Sequence, residues 1–219
     1  MRLFDFFRDN YAEILALTLA HLELVGVSIG LALLVGVPTG ILLTRRPALR
    51  RFVLGFANVV QTIPSLAIFG FLIPLPVIGG IGPRPAIVAL VLYSLLPIIR
   101  NTYTGISGVD PAVREAGRGM GMTDWQLLFQ VELPLALGVI LAGVRVATVI
   151  AIGVATIAAA VGGGGLGEFI FRGVQNINNE LILAGAIPAA LMALIADLAL
   201  GWLERWLTPG GALVERQPA

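Results

Sequence analysis

Three ionisable residues, Glu23, Arg145 and Asp197, stand inside long apolar stretches of this 219-residue chain. A charge at the centre of a bilayer costs about 3 kcal/mol even on insertion scales, so such residues pair, relay protons or line a pathway. Arg145 lies eleven residues beyond Pro134. That is about 16 Å along a helix at about 1.5 Å per residue, too deep to snorkel. An ion pair with Glu23 or Asp197 is therefore expected of it, ahead of a substrate role. His21 and Glu23 are two apart and point to different faces of a helix. With one His and no Cys, no metal site is expected; His21 reads as a hydrogen-bonded helix contact. Gly162, Gly164 and Gly167 match the GxGxxG spacing of dinucleotide sites, but they follow an apolar helix rather than a strand. The chain has no Lys, so it has no P-loop ending and is not an ATPase by itself.

The elements that must position these residues are set by composition. Hydrophobic residues make up 58% of the chain and charged residues 12%, the balance of an integral membrane protein. A net charge of +1, without a dense basic patch, argues neither for a nucleic-acid partner nor for an acidic substrate, and no nucleic-acid partner is expected. Runs long enough to cross lipid occur at about 13–43, 52–73, 85–104, 135–161 and 180–206, and none alternates with a strand period. The fold expected is an all-α integral membrane protein with five spans. The opening MRLFDFFRDN lacks the order of a signal peptide and reads as an amphipathic lead-in at the lipid surface. Gly26 with Gly30, and Gly36 with Gly40, are spaced for close helix packing. With the N-terminus outside, the inner side holds Arg45, Arg46, Arg50, Arg51, Arg100, Arg114, Arg118, Arg205 and Arg216. The outer side then holds only Arg2, Arg8, Arg84 and Arg172, so the positive-inside rule favours this orientation and a cytoplasmic C-terminus.

One inner loop, at about 105–134, contains a polar interlude, EAGRGMGMTDWQLLFQVELP, from Glu115 to Pro134. Asp110 followed by Pro111 is an N-cap with Pro at the first helical position, starting a short helix to about Gly119. Gly121 permits a turn, Thr123 with Gln126 forms a capping box for a second helix, TDWQLLFQ, and Pro134 fits the first turn of the fourth span. Helices of about two turns need something to pack on. Two readings follow: an amphipathic linker on the lipid surface, or a docking element for a soluble partner, with Ala116, Gly117 and Gly121 admitting a close backbone.

Glu115, Ala116, Gly117, then Gly121, then Val131, Glu132, Leu133 and Pro134 resemble the EAA motif of ABC-importer permeases: EAA, three residues, G, nine residues, I-x-L-P. The spacing matches throughout, with Gly for the third-position Ala and Val for Ile. The stretches VVQTIPSLAIFGFLIP (59–74), LYSLLPIIRNTYTGI (92–106) and VGGGGLGEFIFRGV (161–174) are similar to permeases of the glycine betaine, carnitine and choline branch of osmoprotectant importers. The resemblance implies the type I importer permease fold. It also implies that the loop is a coupling helix seated in an ATP-hydrolysing subunit, through Glu115, Ala116, Gly117, Gly121, Leu133 and Pro134. It further implies two ATPase subunits that bind ATP and Mg, a second permease subunit, and an extracytoplasmic substrate-binding protein landing on loops 74–84 and 162–179. No cofactor is then expected on this chain.

Pro64, Pro97 and Pro188 interrupt apolar runs and free backbone carbonyls where a pathway can run. The nearest polar groups, Gln61, Thr62, Ser65, Tyr93 and Ser94, are the candidate pathway lining. The dispersed Trp and Tyr residues form no readable cage for a quaternary ammonium. Alternatives are a permease for amino acids such as methionine, and a secondary transporter or channel. The latter commonly carries internal repeats, which five spans with a single motif-bearing loop lack.

Overall fold

A computed structural model, describing residues 3–208, turns the apolar runs into helices, with no strand among the described residues. Arg2 and Arg216 lie outside the described residues. The lead-in is a short helix, α1 (Leu3–Asp9), and the first span is α2 (Tyr11–Arg45). The third and fifth runs become α5 (Pro83–Ser107) and α10 (Asn179–Leu207). Four helical stretches are long and apolar enough to cross a membrane, and a bent pair makes five if counted as one span.

That bent pair corrects the expectation of one run over 52–73. The chain forms α3 (Pro47–Thr62) and α4 (Ser65–Leu72), set at 103° to each other. The cause is local: Pro64 crowds the backbone of the residue before it, and Ile63 is extended at φ −72°, ψ 128°, which ends α3. Pro97 and Pro188, expected to interrupt their spans, instead lie inside continuous α5 and α10.

On the polar side of the bundle, α6 (Pro111–Gly119) is capped by Asp110, whose carboxylate accepts the Ala112 N–H. The second short helix, α7 (Asp124–Leu127), starts in a complete Thr123–Gln126 capping box. It does not stop before the fourth span, as the sequence suggested. A π turn at Leu128–Glu132 carries it into α8 (Leu133–Ala158), so one helical path runs from Asp124 through the 3-10 turn ending at Val161. Pro134 supplies the reason: in a regular α-helix its ring would crowd the Gln130 carbonyl, and a wider turn relieves that.

The bundle is built around α5, flanked by α2 and α8, with α10 outside α8. Small residues line the seams, with Ala32, Ala86, Ala89, Ala147, Ala151 and Ala155 all buried. A Cβ on Gly36 would lie 2.7 Å from Ile98 Cγ2 and one on Gly40 2.6 Å from Thr102 Cβ, so this pair seats α2 on α5. Within this chain Gly26 and Gly30 meet nothing within 4 Å, so they do not seat α2 on its own bundle as Gly36 and Gly40 do. The segment 162–179 contains α9 (Gly167–Gln175), which packs on α10 and α8.

Candidate functional site

The loop is a helix-turn-helix held by its own small residues. Gly121 takes φ +84°, and the Met122 N–H closes the turn onto the Gly117 carbonyl at 3.1 Å. Gly117 is buried because the second helix crosses it: a Cβ there would lie 2.8 Å from Leu127 Cδ1 and 3.1 Å from Met122 Sδ. Leu127 and Leu128 are buried, while Glu115 and Ala116 are exposed. Leu133 is half-buried in a small cluster with Ile106, Leu128 and Ala136, and Pro134 is exposed. Beside Glu115 the loop leaves bare Val113, Met120, Trp125 at 69% exposure, and Phe129 stacked on Trp125 with ring centroids 5.7 Å apart. This apolar, unpartnered face is of the kind that marks a protein or membrane-surface interaction site. Between it and the end of α2 lies a groove of about 800 Å³ lined by Ile41, Leu42, Arg45, Arg46, Trp125 and Phe129.

Glu132, given no role by the sequence reading, is the most deeply buried charge among the described residues, at 0% exposure. Its Oε2 accepts from Arg45 Nη2 at 2.5 Å, and Arg114 Nε lies 3.1 Å from its Oε1. A readable signal existed: Leu128 and Ala136, four residues to either side, are apolar and share its helix face.

At the Pro64 bend, four of the five proposed lining residues come together. Gln61, Thr62, Ser65 and Tyr93 line a cavity of about 390 Å³ with Ile63, Pro64, Ile150 and Val154. Gln61 Nε2 donates to the Tyr93 carbonyl at 3.2 Å, the acceptor left without its helical donor because Pro97, four residues on, has no N–H. Tyr93 Oη in turn donates to the Ile63 carbonyl at the bend. Ser94 is not among them; it is buried and donates to Leu90 O at 2.8 Å within its own helix.

Arg145 pairs with Asp197, in two parallel bonds of 2.6 and 2.7 Å, and Glu204 lies 3.8 Å away. Its guanidinium packs on Gly201, where a Cβ would lie 3.0 Å from Nη1. Glu23 takes no part in the pair and lies exposed at a small cavity of about 270 Å³ with Pro83 and Ile87. His21 is buried, its Nδ1 accepting from the Leu166 N–H at 3.3 Å and its Nε2 facing Ile152 O at 3.2 Å. The ring therefore carries its proton on Nε2 and joins α2 to α8 and the glycine run. That run is built for the contact: a Cβ on Gly165, at φ +79°, would lie 2.9 Å from His21 Nδ1.

Comparison with known proteins matches this architecture over most of the chain. The profile described as "Binding-protein-dependent transport system inner membrane component" matches residues 32–210. The carnitine transport permease protein OpuCB of Listeria monocytogenes is 50% identical over 204 residues, 93% of this chain and 92% of that protein. The glycine betaine/carnitine/choline transport system permease protein OpuCB of Bacillus subtilis is 47% identical over 210 residues, 96% of this chain and 95% of that protein. Among solved structures, an inward-facing form of the MetNI methionine ABC transporter superposes with a TM-score of 0.78 at 25% identity, covering 86% of this chain and 93% of that one. With a family profile matched over residues 32–210 and relatives about half identical over more than nine-tenths of the chain, the chain belongs to the family of inner membrane components of binding-protein-dependent transport systems.

Proposed function

We propose that this chain is the permease subunit of an ATP-driven importer of quaternary-ammonium osmoprotectants such as glycine betaine, carnitine or choline. The observation that carries the ATP-driven part is the loop: EAA spacing on a Gly117-packed helix-turn-helix whose Val113, Met120 and Trp125 stand uncovered. The substrate class is supported by the names of relatives about half identical over nearly the whole chain. The partners of this reading are two ATPase subunits carrying ATP and Mg, a second permease subunit, and a substrate-binding protein on the outer loops. The Arg distribution supports an N-terminus outside and the Glu115 loop in the cytoplasm. The cavity at the Pro64 bend is the pathway candidate, lined by neutral acceptors and donors suited to a substrate without net charge or with a diffuse one.

The test is reconstitution of the chain with the products of its neighbouring reading frames. ATP-dependent uptake of glycine betaine or choline is the expected outcome, lost by at least tenfold in Gly121→Val, whose backbone sits at φ +84°. Uptake driven by an ion gradient without ATP would make the chain a secondary transporter, and uptake of methionine alone would favour the amino-acid reading. Since the chain has no Cys, an impermeant thiol reagent on intact cells tests orientation: it should label Gln175→Cys and spare Met120→Cys.

A further inference from the structure

We propose that Glu132 is the positioning residue that locks the helix-turn-helix to the membrane bundle, so that a push on the loop moves α2, α5 and α8 together. Its functional consequence rests on the loop being an ATPase seat; the lock itself does not. Arg45 is the last residue of α2, Arg114 lies in α6, and Glu132 closes the π turn that opens α8. The Arg114 Nη2 also donates to the Ile106 carbonyl in the last turn of α5. One buried carboxylate and its two cations therefore join four elements that diverge from one another.

The first helix of the loop, α6, has little else to hold it. Beyond this contact α6 packs mainly on α7 and the π turn, parts of the same loop, across Gly117. A purely stabilising role explains the arrangement poorly, because the cost of dehydrating a buried ion pair roughly offsets its attraction, and apolar replacements are often as stable. What such a pair supplies is a single geometry. Without the carboxylate, two guanidinium groups, which only donate hydrogen bonds, are left facing each other. Glutamine at 132 keeps the shape, removes the charge, and points an NH₂ at one of those donors. Arg46, next to Arg45, is exposed and forms no ion pair among the described residues, so it serves as the control.

The lock is read in the isolated permease, without any ATPase, from a nitroxide on Met120→Cys, the single thiol of the chain at an exposed loop position. Glu132→Gln should turn a restricted spectrum into a mobile one, Arg114→Gln should do the same, and the double variant should be no more mobile than either single one. Arg46→Gln should leave the spectrum unchanged. In the complete assembly, Glu132→Gln should keep ATP hydrolysis within about threefold while solute moved per ATP falls at least tenfold, a split that simple unfolding does not produce. An unchanged nitroxide spectrum in both Glu132→Gln and Arg114→Gln overturns the lock, and a mobile loop with unaltered solute per ATP overturns its role in coupling. Should the wild-type chain bind no ATPase at all, the functional reading falls while the nitroxide result still decides the lock.

Discussion

The Ile63–Pro64 bend and the Glu115 loop both interrupt the bundle, yet they are held by opposite chemistry. At the bend, Gln61 and Tyr93 each donate one neutral hydrogen bond to a backbone carbonyl, bonds that contribute about 1 kcal/mol each and are readily exchanged for water or solute. At the loop, a fully buried carboxylate holds two guanidinium groups, and breaking one such pair costs about 3–5 kcal/mol because a charge is stranded. The contrast fits the two jobs proposed for these regions. A pathway needs polar groups that can change partners as something passes, whereas an element that transmits force needs contacts without alternatives.

The largest effect that would sharpen this contrast is expected at Gly117. Gly117→Leu forces the two short helices apart, since even a Cβ lies 2.8 Å from Leu127. Co-purification with the ATPase should fall more than tenfold, while Gly119→Ala, whose site has nothing within 4 Å, should behave as wild type. Equal behaviour of the two would remove the loop from the force-bearing class. Next comes Gln61→Leu, which leaves the Tyr93 carbonyl unpaired and should lower stability by about 1–3 kcal/mol, read as a lower thermal midpoint in detergent. An unchanged midpoint would mean that water already replaces the side chain. Smallest is Thr123→Ala, which removes half of the capping box for about 1 kcal/mol. Faster amide exchange at Gln126, with transport within about twofold of wild type, is the expected result; a loss as large as that of Gly117→Leu would blur the comparison.

Much of this was legible where a single local rule decides. The caps at Asp110 and Thr123 and the turn at Gly121 follow from residue types at fixed offsets, and the structure places them as those offsets suggest. That Arg145 is ion-paired was readable because a deep charge has few alternatives, though the choice of Asp197 over Glu23 was not. What stayed hidden depended on neighbours distant in sequence. Glu132 meets Arg45 across 87 positions, and Gly26 differs from Gly36 only in which helix lies alongside. Pro64 breaks its run as expected, but Pro97 and Pro188 do not, for a related reason: a proline lacks its N–H, but whether the helix survives depends on what takes the freed carbonyl. Gln61 takes the one released by Pro97, and that helix continues.

The π turn at Leu128–Glu132 also fixes an angle. Such a turn carries one residue more than the α-helical turn it replaces, and one residue corresponds to about 100° of rotation about the axis. It thus acts like a gear tooth between the loop and α8, setting Trp125 and Phe129 outward while Glu132 faces the bundle. An insertion between Phe129 and Glu132 would change the phase of the exposed apolar face relative to the membrane helices without altering any residue on it.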